Sequence, residues 1–189
     1  TRGIGYATVK KFLENGAKVV LFGSREETVA KALASLRAEN PEWEVSGAWP
    51  NLVDADEVAA EISKIRETYG RIDILINNAG ISDSTPISGY TAERFAKIMQ
   101  LNVDAVMNGV LAVVDIMKEQ GGGSIVIASS VTGDIVADAG EAAYAMTKAA
   151  LVGLTKCLAV EYANRNIRVN CSQLGYARTP MVEKIALES

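Results

Sequence analysis

The stretch IDILINNAG at residues 72–80 is an almost unbroken apolar run that stops on two asparagines and a glycine. Isoleucine and leucine packed this densely predict a strand covered on both faces, as inside a parallel sheet. Its ending carries further information. Asn and Gly close a strand with a turn, and in open α/β sheets ligands sit just beyond the carboxyl ends of the strands. A second run of the same kind, GGSIVIASS at 122–130, ends on two serines.

Outward from these two strands, helical and extended patterns alternate. Residues 3–15 have helical periodicity and stop at Asn15-Gly16, a C-terminal cap signal. AKVVLFG (17–23) reads as a strand, 25–39 as an amphipathic helix before Pro41, and WEVSGAWP (43–50) as a strand. A helix over 54–69 closes at Gly70; 91–118 and 141–163 are long helical patterns, and IRVNCSQLG (167–175) is a last strand. Strands alternating with helices of this length predict βαβ units with right-handed crossovers, hence an α/β, doubly wound parallel sheet. With no repeat, linker or low-complexity tract, residues 1–189 read as a single domain. Both ends read as incomplete. The chain opens at Thr1-Arg2-Gly3-Ile4-Gly5 in the middle of a glycine-rich turn, and it stops at Ser189 in a helical stretch. The sheet is therefore expected to lack its first strand and its C-terminal end.

Composition narrows the chemistry. Apolar residues make up 49% and charged residues 22%, and the net charge of −4 is interspersed, which points away from nucleic acid and anionic membranes. No apolar run reaches the roughly 18 residues that span a bilayer, and the first residues lack a signal-peptide pattern, so a cytoplasmic location is expected. There is no histidine. That removes Ser-His-Asp hydrolysis, His-ligated zinc and histidine general bases; no metal site is expected, and acid/base work falls to Asp, Glu, Lys, Tyr or Cys. Cys157 and Cys171 fit neither a metal motif nor a CxxC pair and are expected to be buried free thiols.

Four short motifs bear on function, each with a plain structural alternative. Gly3-Ile4-Gly5 leads into a helix, where glycines admit a pyrophosphate and the helix N-terminus offers free N–H groups, although two glycines before a helix are often just a turn. Asn77-Asn78-Ala79-Gly80 leaves room for a flat cofactor, or simply ends its strand. Tyr144 and Lys148 lie four apart, on one helix face, so that an ammonium can lower the phenol's pKa; such pairs also occur on solvated helices. Ser130, at a strand end fourteen positions earlier, can donate to a substrate oxygen or cap the turn. Asn102, a mediocre helix former within a helical pattern, either uses its amide or faces water.

Taken together and in order, TRGIG, Asn51-Leu52, DILINNAG, LNV at 101–103, GGSIVIASS, YAMTK, IRVN and GYARTPM resemble the short-chain dehydrogenases/reductases from Thr1 to about Met181. The resemblance implies a Rossmann-like fold and an NAD(P)-dependent enzyme that interconverts a secondary alcohol and a ketone by hydride transfer. It implies Tyr144 as general acid/base and Lys148 as the residue that lowers its pKa and bonds the nicotinamide ribose. Ser130 would position the substrate oxygen, and Asn102 would hold a relay water. Arg2, Gly3 and Ile4 would form part of the phosphate loop, Asn51 and Leu52 would lie against the adenine, and Asn78, Ala79 and Gly80 along its ribose. Thr179 would sit near the carboxamide. Two departures stand out: Leu174-Gly175 replaces the usual Pro-Gly, and Asn51 stands where Asp is common. Homodimers or homotetramers paired through the helices near 91–118 and 141–163 are implied as well.

The run Phe22-Gly23-Ser24-Arg25 ends its strand without an acidic residue, so Ser24 and Arg25, with Arg2 close by, favour the 2′-phosphate of NADP over NAD. The N-terminal half resembles bile-acid 3α-hydroxysteroid dehydrogenases, whereas SSVTGDIVADAGEAAYAMTK and its continuation are more similar to sugar- or polyol-type members. A hydroxysteroid is the first expectation, and a 3-oxoacyl thioester or sugar alcohol the alternative. A protein of another class, a cofactor sensor or scaffold without turnover, is disfavoured by the joint presence of Tyr144, Lys148, Ser130 and Asn102.

Overall fold

The computed structural model describes residues 1–177, and Thr179 lies outside them. Two compact units emerge, one centred on Thr1–Asn51 and the other Leu52–Gly175.

In the first unit, α1 (Gly3–Glu14), β1 (Val19–Phe22), α2 (Glu26–Glu39) and β2 (Val45–Ala48) follow in order. The two strands pair in parallel, Val19 opposite Val45 through Phe22 opposite Ala48. Leu13, Leu21, Val29, Ala32, Leu36 and Val45 form the core, with Tyr6, Val9 and Trp43 packed against it. As expected, α1 ends at Asn15-Gly16, where Gly16 adopts φ +79° and the backbone N–H groups fold back onto the carbonyls of Phe12 and Leu13.

The second unit begins with α3 (Ala55–Tyr69), which has caps legible at both ends. Asp54 accepts from the N–H groups of Asp56 and Glu57, and Gly70 closes the helix in the left-handed region at φ +79°. Then come β3 (Ile74–Asn77), α4 (Ala92–Met99), α5 (Ala105–Glu119), β4 (Gly123–Ser130), α6 (Val131–Asp134), α7 (Ala142–Tyr162) and β5 (Ile167–Leu174). The strands form one parallel sheet in the order β3-β4-β5. α5 packs on β3 and β4, α7 on β4 and β5, and α3 on α5. Ile125, Ile127, Val113, Met117 and Leu151 are the buried centre of this arrangement. With a helix between each pair of successive parallel strands, the fold is α/β and Rossmann-like.

Three expectations need refinement. The helical pattern over 91–118 is continuous from Ala92 to Glu119, but residues Gln100–Asp104 within it form a π-turn between α4 and α5. Its wider turn inserts a residue that the 3.6-residue periodicity does not announce. β3 is shorter than 72–80; among the described residues it pairs with β4, and Ile74 is 44% exposed while Leu75, Ile76 and Asn77 are partly buried. Neither thiol is fully buried: Cys157 is exposed and Cys171 half-buried. Cys157 falls off the face of α7 that carries Leu151, Val152, Thr155 and Leu158 inward.

Two helical stretches, Ala92–Glu119 and Ala142–Arg165, are long and apolar enough to cross a bilayer by length and composition. Their apolar faces are used by packing on the sheet, which accounts for the composition without a membrane.

Candidate active site

The site is built on the C-terminal end of β4 and the first two turns of α7. Ser129 donates its hydroxyl to the Lys148 carbonyl at 2.7 Å, and the Lys148 ammonium donates back to the Ala128 carbonyl at 2.9 Å. These two bonds lay the turn of α7 around Lys148 across the strand end. The i, i+4 spacing puts the Lys148 Nζ 5.6 Å from the centroid of the Tyr144 ring. Lys148 is only 6% exposed. Burial pushes its pKa down, and the nearby Cys171 acts weakly in the other direction.

Asn102 resolves the choice between amide use and solvent. It is fully buried in the π-turn. Its Oδ1 accepts from the Ile81 N–H at 2.8 Å, while Nδ2 donates to the Ile81 carbonyl at 2.9 Å and to the Thr147 hydroxyl at 3.0 Å. The Thr147 hydroxyl in turn donates to the Tyr144 carbonyl at 2.7 Å. A single amide therefore ties the loop after β3 to the helix that bears Tyr144 and Lys148. Gly80 is part of the same cluster: a Cβ there would stand 3.1 Å from Asn102 Oδ1 and 3.5 Å from Lys148 Nζ. A Cβ would press on the Asn102 oxygen and only touch the ammonium, so glycine fits here with the least disturbance, and Asn78 and Ala79 lead directly onto it.

Ser130 realises the capping reading. It ends β4 and caps α6, accepting from the Thr132 N–H at 3.1 Å. Its hydroxyl donates to the Leu174 carbonyl at 3.5 Å, the outer limit of a hydrogen bond, which leaves the proton available for a better acceptor. Leu174, where Pro is usual, stands in register with Ser130 as the last pair of the β4-β5 ladder. Beyond it, Gly133 at φ +118° lies so close to α7 that a Cβ would meet the Ala145 carbonyl oxygen at 2.4 Å.

The remaining expected residues fall on the unit centred on Thr1–Asn51, except Leu52. Arg2 is the extended residue before α1, and its side chain makes no cap bond; Gly3 follows at φ +56°. The first N–H groups of α1, with Ile4 on its exposed first turn, are thus left for another acceptor. A Cβ on Gly23 would meet the Thr1 side chain at 2.7 Å. The start of α1 therefore lies beside the end of β1, where Ser24 and Arg25 are exposed ahead of α2. Asn51 is exposed. The Leu52 carbonyl accepts from Asn108 Nδ2 on α5 at 3.0 Å. Bare backbone at Gly80 and uncapped N–H groups on α1 suit a nicotinamide dinucleotide at each of these two places. Among the described residues no cluster of acidic, cysteine or histidine side chains could hold a metal ion.

Ser129, Thr147 and Asn108 were not singled out by the sequence. Thr147 had a signal, since it lies three residues after Tyr144 and shares its helical face; Asn108 had none.

The family model described as short chain dehydrogenase matches residues 1–189. A relative from Mediterraneibacter gnavus, named 3alpha-hydroxysteroid dehydrogenase, is 50% identical over 182 residues, covering 96% of this chain and 72% of the relative. The crystal structure of levodione reductase superposes with a TM-score of 0.91 at 36% identity, covering 97% of this chain and 71% of that one. A gluconate 5-dehydrogenase from Burkholderia cenocepacia, solved with NADP and tartrate, gives 0.90 at 31% identity, covering 98% and 71%. Matched along its length and folded like solved members, this chain belongs to the short-chain dehydrogenase family and is an NAD(P)-dependent oxidoreductase acting on an alcohol or its carbonyl partner.

Proposed function

We propose that this protein interconverts a hydroxysteroid and its ketone, with Tyr144 exchanging the proton at the reacting oxygen. The observation that carries the assignment is the buried Lys148 ammonium held against the Tyr144 ring. A fixed positive charge beside a phenol favours the phenolate and brings proton exchange toward neutral pH in a site without histidine. In reduction Tyr144 donates its proton to the substrate oxygen; in oxidation it takes that proton back. Ser130 turns its hydroxyl from the distant Leu174 carbonyl to the same oxygen and stabilises the charge that builds there. Lys148 spends one donor on Ala128 and keeps the others for the phenol and a ribose. Asn102 holds the π-turn in the shape that supports a water leading away from Lys148. When bound, the nicotinamide supplies the hydride chemistry.

Gly80, with Asn78 and Ala79, would hold a ribose, Leu52 and Asn51 the adenine, Arg2, Gly3 and Ile4 the phosphates, and Thr179 the carboxamide. NADP is the preferred form, supported by Ser24 and Arg25 at the end of β1, where no acidic side chain precedes Glu26. The steroid is supported by the half-identical Mediterraneibacter gnavus relative. A homodimer or homotetramer is supported by Leu111 and Val160, exposed on the outer faces of α5 and α7. A cytoplasmic location is supported by two cysteines that both remain free thiols.

The test is absorbance at the reduced-nicotinamide band with a 3-oxosteroid, a 3-oxoacyl thioester and a polyol as alternative substrates. The steroid should give the highest kcat/KM. A higher value for the thioester or polyol overturns the substrate, and cofactor binding without turnover on any compound overturns the enzyme in favour of a sensor or scaffold.

A further inference from the structure

The loop after Gly80 is fastened at both ends to residues of the site. Asn102 holds both backbone groups of Ile81. Three residues on, the Ser84 hydroxyl donates to Glu141 at 3.3 Å. Gly140, at φ +84°, approaches so closely that a Cβ would stand 2.9 Å from the Ser84 carbonyl oxygen. Glu141 immediately precedes α7, and Tyr144 lies on the first turn of that helix. Segment 81–84 therefore runs from Asn102, beside Lys148, to the residues that lead into α7, the helix that carries Tyr144.

The middle of the loop is held by a cluster outside the catalytic set. Arg94, on the first turn of α4, forks onto Asp83: its Nε donates to one carboxylate oxygen at 3.1 Å and its Nη2 to the other at 2.9 Å. The same Nη2 donates to the Thr85 hydroxyl at 2.6 Å, and the Thr85 N–H returns to Asp83 at 3.1 Å. The guanidinium also lies 5.9 Å from the Tyr90 ring centroid. These bonds, the Arg94 fork foremost, hold the Asp83 carboxyl well below the usual carboxylate range. A single exposed ion pair contributes little, but a bidentate fork that also collects a hydroxyl and a ring face fixes a geometry.

We propose that Arg94, through Asp83 and Thr85, is a positioning residue that keeps segment 81–85 a rigid wall of the substrate cleft and so sets how bulky, rigid ketones fit before Tyr144. The inference rests on the ketone chemistry proposed above. A wall ordered in advance spares the bound state that ordering cost, and a polycyclic ketone leans on it more than a small ring does.

The test pairs kinetics with hydrogen exchange on wild type, Arg94→Ala, Arg94→Lys and Asp83→Asn. With saturating cofactor, Arg94→Ala should raise the KM for a 3-oxosteroid about tenfold. It should change kcat and cofactor Kd less than about twofold and affect the KM for cyclohexanone less than that for the steroid. Arg94→Lys, which keeps the charge and loses the fork, should fall between, and Asp83→Asn should resemble Arg94→Ala. Amide exchange read without substrate or cofactor should quicken in peptides covering 81–90 and stay unchanged in those covering β4. Unchanged exchange in 81–90, faster exchange everywhere, or an unchanged KM each overturns the inference. If wild type reduces no ketone at all, the functional reading fails, while the exchange result still decides whether Arg94 orders the loop.

Discussion

Replacing Asn102 tests the joint that holds the site together, and its cost follows from the bonds it makes. The amide uses three hydrogen bonds, at 2.8, 2.9 and 3.0 Å, in a position with no solvent exposure. A net contribution of about 1 kcal/mol each gives about 3 kcal/mol lost in Asn102→Leu, which keeps the branching and heavy-atom count and removes every polar atom. Ile81 is only partly buried, so its stranded N–H and C=O recover some water, which holds the loss near that figure. Asn102→Ala adds a small cavity and should lose slightly more. In a chain of this length about 3 kcal/mol lowers the Tm by roughly 6–12 °C. Urea unfolding followed by far-UV circular dichroism, without cofactor, reads the difference directly. A loss below about 1 kcal/mol in both variants would show that the Asn102 bonds do not hold the loop after β3 to α7, and the reasoning would fail.

Two further outcomes follow from charge. Lys148 has a folded-state pKa below its unfolded one, so between those two values the unfolded chain binds the extra proton and stability rises with pH. Relative to Lys148→Met, the wild type should therefore gain stability as pH climbs through that window toward 10.5, each tenfold change in acidity being worth about 1.4 kcal/mol; parallel curves would show that the ammonium is not desolvated. Arg25→Ala should weaken NADP about tenfold in a calorimetric titration and leave NAD nearly unchanged, as expected for the loss of one charge-assisted bond at an exposed site; equal weakening of both would remove Arg25 from the 2′-phosphate.

Much of this was legible in the residues. The helix ends at Asn15-Gly16 and Gly70 are local chemistry, and they appear where the sequence puts them. That Tyr144 and Lys148 share a helical face and that Ser130 ends a strand follow from period and position, which are short-range properties; the roles proposed for them rest on the family resemblance. The π-turn around Asn102 was not legible. An inserted residue leaves the apolar pattern intact, and only its partners Ile81 and Thr147, 21 and 45 residues away, explain why the wider turn forms. The Asp83–Arg94–Thr85 cluster is hidden for a similar reason: charges eleven positions apart across a loop look like solvated ones. Burial of Cys157 was overestimated because an apolar neighbourhood in sequence does not say which face of α7 turns inward.

Turnover and cofactor affinity measured side by side for Tyr144→Phe bear most directly on the phenol as the proton-transfer group. The substitution removes one hydroxyl and leaves the Lys148–Ala128 and Asn102–Thr147 bonds in place. Turnover should fall by roughly 10²–10⁴-fold while the cofactor Kd stays within about twofold. A variant that binds cofactor and still turns over at the wild-type rate would contradict the assignment of Tyr144.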